Sequence, residues 1–152
     1  MSEQIAMLSW WVQVLMVGLG GMLGTLSRFG VGKVVHWAHP LEANDWPMYV
    51  SASGTLVVNA LGCFLFGVVW AGLIAMRPSW SGLAMLGLLT GFMGAFTTFS
   101  TFAFETHELY VRHGWLSAAG YWFLQNALGI LLLMVGIWLV KLAAGGTAVL
   151  GG

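Results

Sequence analysis

Residues 91–102 read Gly91-Phe-Met-Gly-Ala-Phe-Thr-Thr-Phe-Ser-Thr-Phe102. Glycine, hydroxyl side chains and phenylalanine are combined here inside a segment otherwise apolar enough to sit in a bilayer. In hydrocarbon every backbone N–H and C=O needs an internal partner, so such an interruption survives only where protein buries it or where it lines a pathway. A plain membrane anchor has no use for it. The block is therefore the candidate working part, and its weak helix formers predict a local break near residues 94–98.

The rest of the chain supplies the membrane setting. Of its 152 residues, 59% are hydrophobic and 7% charged, and the mean hydropathy is +0.89. A soluble domain carries several times more charge. Measured against the roughly 20 residues that cross about 30 Å of hydrocarbon, the apolar runs give four spans, near residues 10–31, 54–75, 82–104 and 115–140. Trp10, Trp11, Trp46, Trp80, Trp115 and Trp138 fall near their ends, as interfacial anchors do. The expected fold is an all-α membrane protein of four transmembrane helices with a break in the third. A single channel-sized domain covers residues 1–142, and residues 143–152, a small-residue tail, read as disordered. Loops are expected over residues 32–53, 77–81 and 106–114.

The first span is too long for a signal peptide, and residues 1–4 carry Glu3 but no Lys or Arg, so the span is expected to be retained. Zero net charge and the absence of a basic cluster argue against a nucleic-acid partner. The lone Cys63 permits no intrachain disulfide. No nucleophile, base and oxyanion arrangement stands out, so the chain does not read as an enzyme. Lys and Arg are divided almost evenly between the two sides: Arg77 and Lys141 on one, Lys33 and Arg112 on the other, with Arg28 at the end of the first span. So weak a bias permits insertion both ways up, and equally a protein that still inserts one way.

Side chains on the spans suggest what they present to one another. Gly20, Gly24 and Arg28 recur every four residues, with Gly21 and Ser27 beside them, giving a small face that lets a second helix approach closely. Ser51, Thr55, Asn59 and Cys63 also recur every four residues, so the second span carries a polar stripe to mid-membrane. An amide left alone in hydrocarbon costs several kcal/mol; Asn59 must therefore face protein, water or a ligand, either as an interhelical hydrogen bond or as an ion contact. Phe96, Phe99 and Phe102, three apart, drift slowly around one helical face. Such a stripe reads as packing, or, beside a break, as ring edges that contact a small anion. Freed carbonyls at the break can coordinate a cation, and half-helix N-termini favour an anion.

Three motifs in order, Gly20-Gly-Met-Leu-Gly-Thr-Leu-Ser-Arg28, Gly54-Thr-Leu-Val-Val-Asn-Ala-Leu-Gly62 and residues 91–102 followed by Glu105, make the chain resemble the Fluc or CrcB fluoride channel family. The resemblance implies a passive fluoride channel of the bacterial inner membrane, a multi-pass protein that exports cytoplasmic fluoride and gives fluoride resistance. It implies an antiparallel dual-topology homodimer with fluoride and the lipid bilayer as its other partners. Asn59 would line the pore as an amide donor, Phe99 and Phe102 would offer ring edges, and Ser100 and Thr101 would add hydroxyls. Arg28 would sit at the aqueous vestibule, and the backbone carbonyls of Gly94 and Thr97 would hold a structural sodium ion between subunits. Glu105 would lie at the membrane edge and cap polar backbone near the pore mouth.

Tyr121 matches a family position on the polar track, whereas Gln125 and Gly129 stand where the family often has hydroxyl residues. Asn126 reads as a packing hydrogen bond. His36, His39, His107 and His113 fall on one side of the membrane with Glu42 and Asp45, without a compact metal-ligand motif. Glu108 and Arg112 read as a surface pair. Two other classes share the size: a small dual-topology multidrug transporter, which needs a carboxylate deep in the membrane, and a structural membrane subunit. All five acids are expected outside the cores of the spans or at an edge, which argues against the transporter.

Overall fold

The computed structural model describes residues 8–38, 48–76 and 78–145, the side chains of residues 48–50 excepted. Every regular element among the described residues is helical, as the demand for internally satisfied backbone dictates. Helix α1 covers Trp10–Ala38 and α2 covers Met48–Met76. A third, composite rod begins with α3, Ser81–Ala84, continues as a π-helical segment over Met85–Met93 and ends as α4, Gly94–Phe96. After the break come α5, Phe99–His113, and α6, Trp115–Ala143. Among the described residues four helices, Trp10–Ala38, Ser51–Met76, Ser81–His113 and Trp115–Ala143, are long and apolar enough to cross a membrane.

Two of the expected loops are largely helix. α1 runs on through Ala38 and α2 already begins at Met48, because no proline interrupts the chain before Pro40 and a helix satisfies its own backbone in water as in lipid. Residues 106–113 likewise stay helical; Arg112 and His113 in the last turn complement the negative end of the helix. Only Gly114, at φ 84°, stands between α5 and α6. That left-handed conformation is one a glycine adopts without steric cost. The second connection, through Pro78 to Trp80, is as short as expected. Residues 1–7, 39–47, 77 and 146–152, which include Glu3, His39, Glu42, Asp45, Trp46, Arg77 and most of the tail, lie outside the described residues.

Small residues decide how the rods pack. α1 lies chiefly against the π-helical segment, and α2 against α6. A Cβ on Gly20 would collide with the Gly87 carbonyl oxygen, and one on Gly24 with that of Phe92. Across the molecule, a Cβ on Gly67 would meet the Leu133 carbonyl and one on Gly136 that of Phe64. Both contacts therefore have backbone on backbone, the small-residue mode of membrane helices. Between them a cluster of Leu73, Ala84, Leu89 and Met93 is filled out by Val69, Trp70, Met85 and Phe92. The outward faces are apolar, with Leu15, Met22, Leu26 and Phe29 exposed on α1 and Phe123, Leu131 and Met134 on α6. Exposed large hydrophobics of this kind suit lipid contact. Trp10, Trp11, Trp80, Trp115 and Trp138 are exposed too.

The π-helical segment is not legible in the sequence. It lies where Gly87 and Gly91 meet α1, a Cβ on Gly91 coming within 2.7 Å of the Val17 carbonyl oxygen. Widened turns of this sort mark functional segments of helices.

Candidate functional site

The third span breaks where its sequence predicts. Helix α4 stops at Phe96; Thr97 is extended at φ −75°, ψ 159°, and Thr98 at φ −145°, ψ 114°. Two side chains hold this pair of extended residues. Asn59 on α2 accepts from the Thr98 N–H at Oδ1 (2.9 Å) and donates from Nδ2 to the Thr98 carbonyl (3.3 Å). Thr98 in turn caps α5: its Oγ1 accepts from the Thr101 N–H (3.3 Å) and its hydroxyl lies 2.9 Å from that of Thr101. An N-cap threonine followed by a helix is a readable sequence signal.

The break frees carbonyls in a specific way. The donors four residues beyond Gly94 and Thr97 are the N–H groups of Thr98 and Thr101, and these go to Asn59 Oδ1 and Thr98 Oγ1 instead. Thr97 O accepts a long contact from Arg28 Nη1, at 3.5 Å. Arg28 is thus aimed at the break.

Below the break lies a polar cluster around Glu105. The residue is only 2% exposed, on a helical stretch that stays apolar enough to span a membrane through His113 rather than ending at residue 104. Its Oε1 accepts from the hydroxyls of Ser51 (2.5 Å) and Thr55 (2.9 Å), and its Oε2 from Tyr121 (2.7 Å). Glu105 therefore binds side-chain hydroxyls and does not cap backbone. The reason lies in spacing: Ser51 and Thr55 share a face of α2, and Tyr121 comes from α6, so three donors converge on one carboxyl. Gln125, one turn after Tyr121, donates from Nε2 to the Tyr121 oxygen (2.9 Å), and its Oε1 accepts from Asn59 Nδ2 at 3.5 Å. Asn59, Gln125, Tyr121 and Glu105 thereby form one connected chain of polar groups. Gln125 departs from the family's hydroxyl pattern but still donates through its amide, and the four-residue pairs Ser51/Thr55 and Tyr121/Gln125 are the sequence signal for this chain of groups.

Beside this chain opens a cleft of about 310 Å³, lined by Asn59, Thr97, Phe99, Phe102, Gln125 and Asn126 among others. Cys63 and Gly129 line it as well, and a Cβ at Gly129 would lie 3.3 Å from the Cys63 sulfur. Phe99 and Phe102 meet edge to face, ring centroids 5.7 Å apart at 61°. Phe99 is 79% exposed and Phe102 6%. Phe96 does not continue their stripe: it is buried and stacks on Phe92, because two extended residues between it and Phe99 reset the helical phase.

Of the residues picked out in the sequence, Asn59, Thr97, Phe99 and Phe102 come together at the cleft. Thr101 and Tyr121 stand on the hydrogen-bonded network behind it. Ser100 and Gly94 are exposed on the outer side of the chain. Asn126 is exposed and donates to the Trp122 carbonyl of its own helix at 2.7 Å, so its bond is not interhelical. Arg112 pairs with Glu108 at 2.9 Å on the surface, as expected. Among the described residues no group of three or more His, Cys, Asp and Glu is placed to hold a metal ion.

Residues 15–137 match the family described as CrcB-like protein, Camphor Resistance (CrcB). The chain is similar to a fluoride-specific ion channel FluC of Nitratidesulfovibrio vulgaris (strain DSM 19637 / Miyazaki F), 43% identical over 125 residues that cover 82% of this chain and 94% of the relative. A protein of the same name from Nitrosococcus oceani is 43% identical over 126 residues, 83% of this chain and 94% of the relative. One from Chloroflexus aurantiacus is 35% identical, over 83% and 93%.

Proposed function

The chain belongs to the CrcB family, and on that footing we propose that it is a passive fluoride-selective ion channel, a multi-pass protein of a bacterial membrane and not an enzyme. The observation that carries this reading is the juxtaposition, at a break in a membrane helix, of an amide and a phenylalanine edge-to-face pair around one cleft. Fluoride is small and tightly hydrated, so a pathway must replace its water with hydrogen-bond donors. Amide and hydroxyl groups are such donors. Ring edges carry partial positive charge and bind an anion weakly, which keeps the ion moving between stronger contacts.

In this reading Asn59, Phe99 and Phe102 contact fluoride directly. Ser100, Thr101 and Tyr121 extend the polar path, and Arg28 supplies positive potential at the break. The transporter reading gains nothing from the buried acid, because both Glu105 oxygens are held by hydroxyl donors.

The assembly is a homodimer of inverted copies. Ser100 and Asn126 are exposed polar side chains on helices apolar enough to span a membrane, and a second copy is what would cover groups so poorly matched to lipid. The freed carbonyls of Gly94 and Thr97 are hard oxygen donors that suit a sodium ion, with a second copy completing the shell; bound there, sodium would neutralise carbonyl dipoles and join the subunits. Arg28, whose contact with Thr97 is at the outer limit of a hydrogen bond, would turn toward the anion path.

The test is fluoride efflux from liposomes holding the purified protein, read with a fluoride electrode beside a chloride control, with valinomycin carrying potassium to balance charge. Fast fluoride release with little chloride release is expected, and its loss in Asn59→Asp or Phe102→Ile with assembly intact would separate a channel from a scaffold. Unchanged flux in both variants would sink the pore assignment.

A further inference from the structure

The hydrogen bonds between Asn59 and Glu105 run in one direction. The Tyr121 hydroxyl has a single proton and two acceptors, Glu105 Oε2 at 2.7 Å and the Ala52 carbonyl at 3.3 Å; the shorter contact, to a carboxylate oxygen, takes it, and whichever acceptor does, the Tyr121 oxygen is left to accept from Gln125 Nε2 at 2.9 Å. With its amide nitrogen committed to Tyr121, Gln125 must turn Oε1 toward Asn59, whose Nδ2 lies 3.5 Å away. The Asn59 amide is oriented independently, since its Oδ1 receives the Thr98 N–H at 2.9 Å. Its Nδ2 protons therefore have two takers, the Thr98 carbonyl at 3.3 Å and Gln125 Oε1 at 3.5 Å. The latter is the longest bond of the network and the first to yield.

We infer that Gln125 is a positioning residue whose amide oxygen competes with the permeating anion for the Asn59 donor. The inference rests on the channel reading above. An anion reaching the cleft at Asn59 takes the proton that Gln125 holds only loosely, and the Gln125 carbonyl dipole, pinned in place by Tyr121 and Glu105, then faces the ion with its negative end. Gln125 thus shortens the stay of fluoride at Asn59. Burial keeps it there, since it is 7% exposed and cannot swing into water.

Fluoride efflux measured over a series of internal fluoride concentrations tests this in Gln125→Met, which keeps the length and removes the oxygen, and in Gln125→Ser, which is too short to reach Asn59. Variants are first matched to the unaltered protein in gel filtration. The half-saturating fluoride concentration is expected to fall by about threefold to tenfold, the scale of one modest hydrogen bond, while maximal flux does not rise. Simple structural damage lowers maximal flux without tightening half-saturation. A half-saturating concentration that is unchanged or higher in both variants overturns the inference and leaves the channel standing. No fluoride release from the unaltered protein overturns the channel reading and the inference with it.

Discussion

Asn59 holds both backbone polar groups of Thr98, accepting from its N–H at 2.9 Å and donating to its carbonyl at 3.3 Å. One side chain on the second span thus replaces the ladder bonds that the third span gives up. This is how an interruption that hydrocarbon forbids becomes stable: the missing partners come from a neighbouring helix.

Replacing Asn59 by leucine removes both partners from a buried residue. We expect the variant to lose about 1 to 3 kcal/mol, read as an earlier thermal unfolding transition in detergent, together with fluoride flux. A variant as stable as the original would mean that the break holds itself.

Thr98 starts the helix after the break. Thr98→Val removes the oxygen that accepts from the Thr101 N–H and should cost about 1 kcal/mol, whereas Thr98→Ser should retain most of the stability. A loss in the serine variant with none in the valine variant would show that the methyl group, not the cap, matters.

Thr55 and Tyr121 grip opposite oxygens of Glu105 from different helices. In a double-mutant cycle of Thr55→Val and Tyr121→Phe, unfolding free energies should depart from additivity by about 0.5 to 3 kcal/mol. Strict additivity would dissolve the network into separate contacts.

Glycines of the first helix should divide by location. Gly24→Ala places a methyl against the Phe92 carbonyl and should destabilise by about 1 to 3 kcal/mol or more. Gly18 has nothing within 4 Å of an added Cβ; Gly18→Ala should be neutral or stabilise by up to about 1 kcal/mol through helix propensity. Thermal scans of the two proteins side by side decide it.

If Gly94 and Thr97 hold sodium between two copies, exchanging sodium for N-methylglucamine in every solution should slow fluoride efflux severalfold, with recovery when sodium returns. Flux indifferent to the exchange would remove the cation from the assembly.

Four spans, the break in the third and the small faces of Gly20 and Gly24 were all legible in the sequence, because each follows from rules that act locally: span length against hydrocarbon thickness, weak helix formers in a row, and glycine at helical spacing. The stripe of Ser51, Thr55 and Asn59 was legible for the same reason. What that stripe faces was not. That three hydroxyls converge on Glu105, and that Gln125 bridges Asn59 and Tyr121, depends on how α2, α5 and α6 pack. The phenylalanines divide likewise: spacing put Phe96, Phe99 and Phe102 on one drifting face, but two extended residues re-aimed the chain, burying Phe96 and leaving Phe99 outside. Periodicity belongs to one helix and can be read from one sequence. The partners of a polar group inside a membrane come from other helices, and only their packing in three dimensions chooses them.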